Sequence, residues 1–586
     1  MWRSPSEARS YFAGKLTPER KAWVSKLRHG EHTWQRRSQS NRAKHESVVG
    51  SYDARKSLSE SLNAVRTTMH SAGLEFVELP RLSFFSPTLV IDAEHADAVL
   101  AALDALDETG REDRTADHSW TVRRLTADGA VLSAKRAEKH SQRIASITCL
   151  RHQFAANGRD LSTPDLTVTI ELWKRMGQEV SRADGGTYIP GTRRRQQSEH
   201  DLALDYVEPT VWFHAVQNDG RLELPAAHLR TLQEPVDIVY TWVDGADPAW
   251  RARMHAAMES ADLRTTEPSA LAESRFTSRD ELKFSLRSLE YYASWANHIY
   301  IVTDGQVPDW LNTDHPKVSV VDHREIFADP TVLPVFNSHA IESQLHHIDG
   351  LSDRYVYLND DCFFLRPTDP ELFFSGNGLA HHFPSVVPID VGGWSPRDLP
   401  IISAAKQGRD YMLETYGRTV THRFMHTPHP QIKPVLEAME KERPELFAQV
   451  AQSVFRSPND YSIASSLHHF DAFERGQSVE GQIGYRFIDL GRPDLDLQLA
   501  RIARAQDLDV FCLNETTLAE GSQQAVDKAV ETFLNDRFPA PSTFELHSTK
   551  GTPWTETSSH ERRESPSPWS SGSQGSRGIL SFADMG

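Results

Sequence analysis

The segment Arg354-Tyr-Val-Tyr-Leu-Asn-Asp-Asp-Cys-Phe-Phe-Leu-Arg366 constrains this chain more than any other. Val356 and Leu358 alternate with Tyr355 and Tyr357, and all four favour a pleated, mostly buried strand. The strand runs into Asn359, Asp360 and Asp361 before the sequence turns apolar again. Two adjacent carboxylates are costly to bury unpaired, so they are either solvated at a strand terminus or neutralised by a cation. In open α/β sheets ligands collect beyond the carboxyl ends of strands, where this pair falls. A polar turn closing a core strand would look the same, and the surrounding sequence has to decide between them.

A length of 586 residues accommodates two or more domains and a large core. With 39% hydrophobic and 25% charged residues the composition is that of a soluble globular protein with polar extensions. The net charge of -17 argues against nucleic acid as a partner. Cys149, Cys362 and Cys512 have no zinc-motif spacing, and an odd count suits a reducing compartment. No apolar run approaches a membrane span and no signal peptide opens the sequence, so a cytoplasmic location is predicted. The first sixty residues carry 13 Lys or Arg against 6 Asp or Glu. Such a stretch reads as a solvated, partly disordered extension, or as a peripheral contact to an anionic membrane surface at its inner face.

Residues 61–233 read as a small α+β accessory domain. Helices are predicted over Leu62 to Gly73 and His95 to Leu106. Strands are predicted over Leu74 to Leu79, Thr88 to Ile91, Trp120 to Leu125 and Leu166 to Trp173. Arg182 to His200 reads as a loop. No catalytic constellation stands out here; the domain either positions an acceptor or stabilises the core. Residues 234–538 form the predicted catalytic domain, and 539–586, rich in Ser, Pro and Gly, form a predicted disordered tail.

Val236 to Trp242 reads as a strand ending in the Asp244-Gly245 turn, as at the first crossover of a nucleotide-binding α/β domain. Ser278-Arg-Asp-Glu281 fits a capping box, and Leu282, Leu286 and Leu289 mark one helix face. Arg279 and Lys283 lie near that helix start, where they either pair with acids or hold a pyrophosphate. His298 to Thr303 and Val318 to Val321 are further strands. A helix is predicted from Ile432 to Val450 and another from Ser522 to Phe538.

Five blocks in order resemble the stealth family: Asp237 to Gly245, Arg279 to Leu289, Ile299 to Gln306, Leu333 to Glu342 and Tyr357 to Asp361. They cover roughly Val236 to Arg366, with family-like blocks continuing to about Thr517. That family comprises capsular polysaccharide phosphotransferases and the catalytic subunits of N-acetylglucosamine-1-phosphotransferase. The resemblance implies an α/β fold with a mixed, mostly parallel, Rossmann-like or glycosyltransferase-A-like sheet. It implies transfer of a hexose 1-phosphate, N-acetylglucosamine 1-phosphate in the first place, from a UDP-sugar donor to a hydroxyl of an oligosaccharide or polysaccharide acceptor, with release of UMP. Capsule or exopolysaccharide biosynthesis is the implied setting.

Attack on phosphorus piles negative charge onto phosphoryl oxygens, so such a site needs fixed cations. A hard divalent ion, Mg2+ or Mn2+, would take Asp360 and Asp361 as ligands, with Asp361 nearer the catalytic-base role. By resemblance His426 is catalytic, His429 is a phosphate contact and Arg456 is a catalytic cation that forks onto phosphate oxygens. Asp237, Trp242, Asp244, Arg279, Lys283, Asn337, His339, Glu342, Asn359 and Asn514 are the candidate substrate contacts, Trp242 by stacking on uracil. Two alternatives stand beside this reading: a metal-dependent glycosyltransferase releasing UDP, and a catalytically silent glycan-binding protein.

Overall fold

Val236–Thr241 is buried along all but its last residue and lies at the centre of a five-stranded sheet. The computed structural model describes residues 49–112, 119–182, 184–196, 204–260, 276–395, 398–515 and 523–546. The basic extension as far as residue 48 and the tail from 547 lie outside the described residues. The order across the sheet is Val318–Asp322, Ile299–Thr303, Val236–Thr241, Arg354–Asn359, His429–Ile432. The first four strands are parallel and the fifth is antiparallel. Parallel interior strands are covered on both faces, which is why Ile299–Thr303 is an unbroken buried run.

Register pairs Thr241 with Asn359 and Tyr357 with His429. The carboxyl ends of the parallel strands therefore meet the amino end of the antiparallel strand at one edge. This is the mixed, mostly parallel α/β core that the sequence predicts. Two further expectations change. Around His426, where Pro428 and Pro430 predict a loop, the chain forms the strands His422–Phe424 and His429–Ile432. Pro430 is tolerated because its strand lies at the sheet edge. The helix expected from Ile432 to Val450 is two, Lys433–Glu442 and Pro444–Ala451, because Pro444 expels Arg443 from helical geometry (φ -136°, ψ 59°).

Beyond Asn359 the chain turns at Asp360-Asp361 and enters a three-stranded sheet. There Cys362–Phe364 lies antiparallel to Val510–Asn514, which is parallel to Tyr485–Asp489. The twin aspartates thus occupy the corner between two sheets, pinned where Leu513 N–H donates to the Asp361 carbonyl at 3.0 Å.

Glu281–Tyr292 buries ten of its twelve residues against this corner. The capping box expected at Ser278 does not form: Asp280 occupies the cap position at φ 64° without a side-chain cap bond. Glu281 instead turns its carboxylate back to the Arg279 N–H and guanidinium. At the Asp244-Gly245 turn a Cβ on Gly245 would lie 2.2 Å from the Phe276 carbonyl oxygen, so this close approach demands glycine.

The N-terminal third builds an eight-stranded mixed sheet around Thr88–Asp92, Val168–Arg175, Ile144–His152 and Ser119–Thr126. Ile144–His152 is a strand the sequence reading lacks. Ala54–Ser71 and Ala96–Glu112 pack on this sheet, and both helices are longer than expected. One hydrophobic cluster runs from Tyr52 in this region to Phe544, and the described residues through Leu546 form one compact unit. No helix among the described residues is long and apolar enough to cross a membrane.

Candidate active site

The corner between the two sheets gathers side chains from five elements. Thr241 Oγ1 lies 3.1 Å from the Tyr357 hydroxyl, which donates to Asn359 Oδ1 at 2.7 Å. Asn359 Oδ1 is thereby occupied, so Nδ2 points at His426 Nε2, 3.0 Å away. Asp361 Oδ1 lies 3.7 Å from that same nitrogen. Asn514 Nδ2 donates to Asp361 Oδ2 at 3.0 Å. The Asp361 side chain is 14% exposed and that of His426 33%, so the pair opens to solvent at the sheet edge.

The electrostatics of the twin aspartates differ. Burial raises the Asp361 pKa, but His426 and the Asn514 bond outweigh it and leave the carboxyl below its ordinary value. Burial lowers that of His426, yet Asp361 prevails and the imidazole sits above its ordinary value. Asp360 is pushed well up by burial, with the carboxyls of Glu281 and Asp361 adding to it. The corner thus shifts the two carboxyls in opposite directions, Asp361 below and Asp360 above the ordinary carboxylate range.

His426 Nε2 faces two competing groups. The neutral ring accepts from Asn359; a ring protonated at Nε2 donates to Asp361. The pair can therefore stabilise a proton arriving at that nitrogen, which is what a general base requires.

Arg456 lies beside this pair. Its Nη2 donates to Ser338 Oγ at 2.7 Å. Its Nε has no hydrogen-bond partner, and no carboxylate among the described residues lies within ion-pairing distance of the guanidinium. Glu342, Tyr357 and Asp460 still bear on its charge, and Arg456 in turn lowers the His426 pKa. Glu342 is buried, with Oε2 accepting from Ser465 Oγ at 2.8 Å. A guanidinium so placed retains donors for an anion.

Other predicted contacts lie elsewhere or are already engaged. Asp237 is at the opposite end of its strand, fully buried, accepting from Asn297 Nδ2, His298 N–H and Ser352 N–H. It clamps loops and does not reach the site edge. Asn337 is fully buried: its Oδ1 caps His339 N–H and its Nδ2 donates to Asp460 and the Ser453 carbonyl. His339 is buried, with Nδ1 3.7 Å from Asp460. The helix they start is only five residues long, Ser338–Glu342.

Arg279 has its guanidinium surrounded by Glu281, Glu515 and Asp527 and is 7% exposed, so it braces the corner and has little surface for a pyrophosphate. Lys283 pairs with Asp280 at 2.7 Å. His429 is 5% exposed between Tyr357 and His469, with its pKa lowered by burial to about 3. A neutral, enclosed imidazole is ill suited to the phosphate contact expected of it. Trp242 is partly buried just past the end of the central strand, and Asp244 caps its own turn through Ala246 N–H. Thr241 and Tyr357, which orient Asn359, were missed; their only signal was the polar hydroxyls alternating along otherwise apolar strands.

The hard divalent ion implied by the resemblance takes oxygen ligands. Asp361, ionised and partly exposed, fits that requirement. Asp361 also lies in a close-set group of donors among the described residues, and Asp360 stands beside it in the same turn.

Four family models match the chain in order: Stealth protein conserved region 1 over residues 234–262, region 2 over 275–382, region 3 over 425–472 and region 4 over 500–552. The site residues Asp361, His426 and Asn514 fall in or directly beside the second, third and fourth. Among relatives, an exopolysaccharide phosphotransferase of Streptomyces coelicolor is 47% identical over 314 residues, covering 53% of this chain and 51% of that one. The exopolysaccharide phosphotransferase CpsY of Mycobacterium tuberculosis is 36% identical, covering 55% and 60%. The chain spans about half the length of the Streptomyces relatives it matches first.

Among solved structures, the galactosyltransferase LgtC in complex with donor and acceptor sugar analogues aligns with 53% of this chain and 97% of its own. Its identity is 11% and its TM-score 0.28, too slight a likeness to bear on the chemistry. An exopolysaccharide phosphotransferase of Nocardia farcinica is 33% identical over 456 residues, 77% of this chain and 83% of that one. With four conserved regions in order and a relative matched over most of its length, this chain belongs to the Stealth family.

Proposed function

We propose that the protein is a sugar-phosphate transferase. It moves a hexose 1-phosphate, N-acetylglucosamine 1-phosphate in the first place, from a UDP-sugar to a hydroxyl of an acceptor glycan and releases UMP. The observation that carries this reading is the meeting of an ionised Asp361, an oriented His426 and an Arg456 without a carboxylate partner at one strand edge. Membership of a family whose named relatives are exopolysaccharide phosphotransferases supports the same reaction class.

In this reading the acceptor hydroxyl lies against His426 Nε2 and gives up its proton there as oxygen attacks the β-phosphorus. The P–O bond to the bridging oxygen breaks, and UMP leaves with that bond's electron pair. In the resting site Asn359, oriented by Thr241 and Tyr357, holds the Nε2 lone pair; the acceptor hydroxyl displaces that bond, and Asp361 stabilises the imidazolium that results. Arg456 donates to the phosphoryl oxygens, where charge builds as the bond to UMP breaks. A bound Mg2+ or Mn2+, held through Asp361, would add positive charge at the same oxygens.

The test is to incubate the protein with UDP-N-acetylglucosamine, Mg2+ and oligosaccharide acceptors and to identify the nucleotide released. UMP with a new phosphodiester is the expected result. UDP would make the protein a glycosyltransferase instead, and acceptor binding with neither nucleotide released would make it a glycan-binding protein.

A further inference from the structure

We infer that Asp361, Cys362, His426 and Cys512 together form a site for a borderline-soft divalent cation, Zn2+ in the first place, and that filling it switches the transferase off. The binding half stands on the donor geometry alone; the inhibitory half rests on the function proposed above.

One donor atom from each of these residues lies within 4.8 Å of the others. The strand pairing explains how the two thiols come together. Leu513 N–H donates to the Asp361 carbonyl at 3.0 Å and Leu365 N–H to the Asp509 carbonyl at 2.8 Å. These bonds mark the hydrogen-bonded rungs of the antiparallel pair. The Cys362 and Cys512 rung between them is therefore of the non-hydrogen-bonded kind, which brings facing Cα atoms to about 4.5 Å and their side chains close together. Cys362 Sγ lies 3.8 Å from Asp361 Oδ1, and that oxygen lies 3.7 Å from His426 Nε2.

Two sulfurs, one imidazole nitrogen and one carboxylate oxygen make a four-donor set that suits Zn2+; Mg2+ prefers oxygen throughout. Zinc bonds of about 2.0 to 2.3 Å would draw the four donors in by roughly an ångström. The sulfurs are buried while Asp361 and His426 are open to solvent, which gives an ion its way in. Asn514, donating to the second oxygen of Asp361, already orients the ligand from behind. Neither cysteine has a part in the transfer chemistry. Once the ion is bound, the Nε2 lone pair and the Asp361 charge are both engaged, and no base remains for the acceptor hydroxyl.

The reduced full-length protein, free of metal, is titrated with Co2+ alone and then with Zn2+. Thiolate-to-cobalt charge-transfer absorption should saturate at one equivalent and be displaced by Zn2+. The other donor groups among the described residues, His346-His347-Glu440 and Asp92-Glu94-His95, contain no sulfur and would not give that band. Cys362→Ser and Cys512→Ser should each weaken binding about tenfold or more, whereas Cys149→Ser should not. With Mg2+ present, Zn2+ should inhibit transfer over the concentrations that displace Co2+, and Cys512→Ser should resist about tenfold more at an unchanged zinc-free rate.

No charge-transfer band, or one that survives in the folded double variant, would overturn the site. Zinc bound with transfer undiminished would overturn the inhibition. A protein that shows the band but never releases UMP keeps the site, loses the inhibition and loses the proposed function.

Discussion

Three residues at the sheet corner have separable tasks. Asp361→Asn removes the charge that supports a protonated His426, and His426→Ala removes the base. Each should lower kcat about a thousandfold with unchanged circular dichroism, because both side chains are partly exposed. A rate within tenfold of the parent would take the residue out of the mechanism. Arg456→Lys keeps the charge but loses the fork that serves Ser338 and an anion together, so kcat/KM should fall about a hundredfold. Asp237 offers the contrast. Asp237→Ala strands three donors at the far end of the strand and should cost about 2 to 3 kcal/mol in urea denaturation, while kcat of the folded protein stays unchanged.

At the level of elements, the edge strand His429–Ile432 and the helix His468–Glu474 lock together through histidines. His468 Nε2 accepts from the Ile432 N–H at 3.0 Å, and His429 Nδ1 lies 3.1 Å from His469 Nε2. Burial lowers the pKa of His429 and His468 from 6.5 to about 3 and that of His469 well below its ordinary value. All three rings fold neutral, so the unfolded chain binds more protons once the pH drops below 6.5. The stability this contact contributes is complete above that pH. It declines toward pH 3, with a slope of up to about 4 kcal/mol per pH unit for three protons. Urea midpoints at pH 7, 5.5 and 4.5 should fall in that order; equal midpoints would show that the rings are protonated in the fold.

For the whole molecule, the hydrophobic cluster crosses from the N-terminal sheet into the five-stranded sheet without a break. Arg159 reaches Asp536 at 2.9 Å, and Arg55 pairs with Asp369. Two regions sharing one core and such ties should unfold together. Calorimetry should show one transition with calorimetric and van't Hoff enthalpies in agreement. Two resolved transitions would make the N-terminal sheet an independent domain.

The sequence by itself determined the strands dominated by β-branched and aromatic residues, because burial on both faces leaves the interiors of Val236–Thr241, Ile299–Thr303 and Arg354–Asn359 no other place to go. It also marked Asn359, Asp361, His426, Arg456 and Asn514, which the fold brings to one corner or its border. Periodicity failed where a single residue overrode it, Glu281 turning back to Arg279 and Pro444 dividing a helix, and where a place at the sheet edge admitted Pro430. Only the tertiary structure decided which polar residues were already engaged, since Asp237, Asn337, Arg279 and His429 differ from the site residues in partners and burial, not in type. It also shifted the two aspartates in opposite directions, Asp361 down and Asp360 up, and set Cys362 beside Cys512. Those outcomes depend on register between strands some 150 residues apart, which no local spacing encodes.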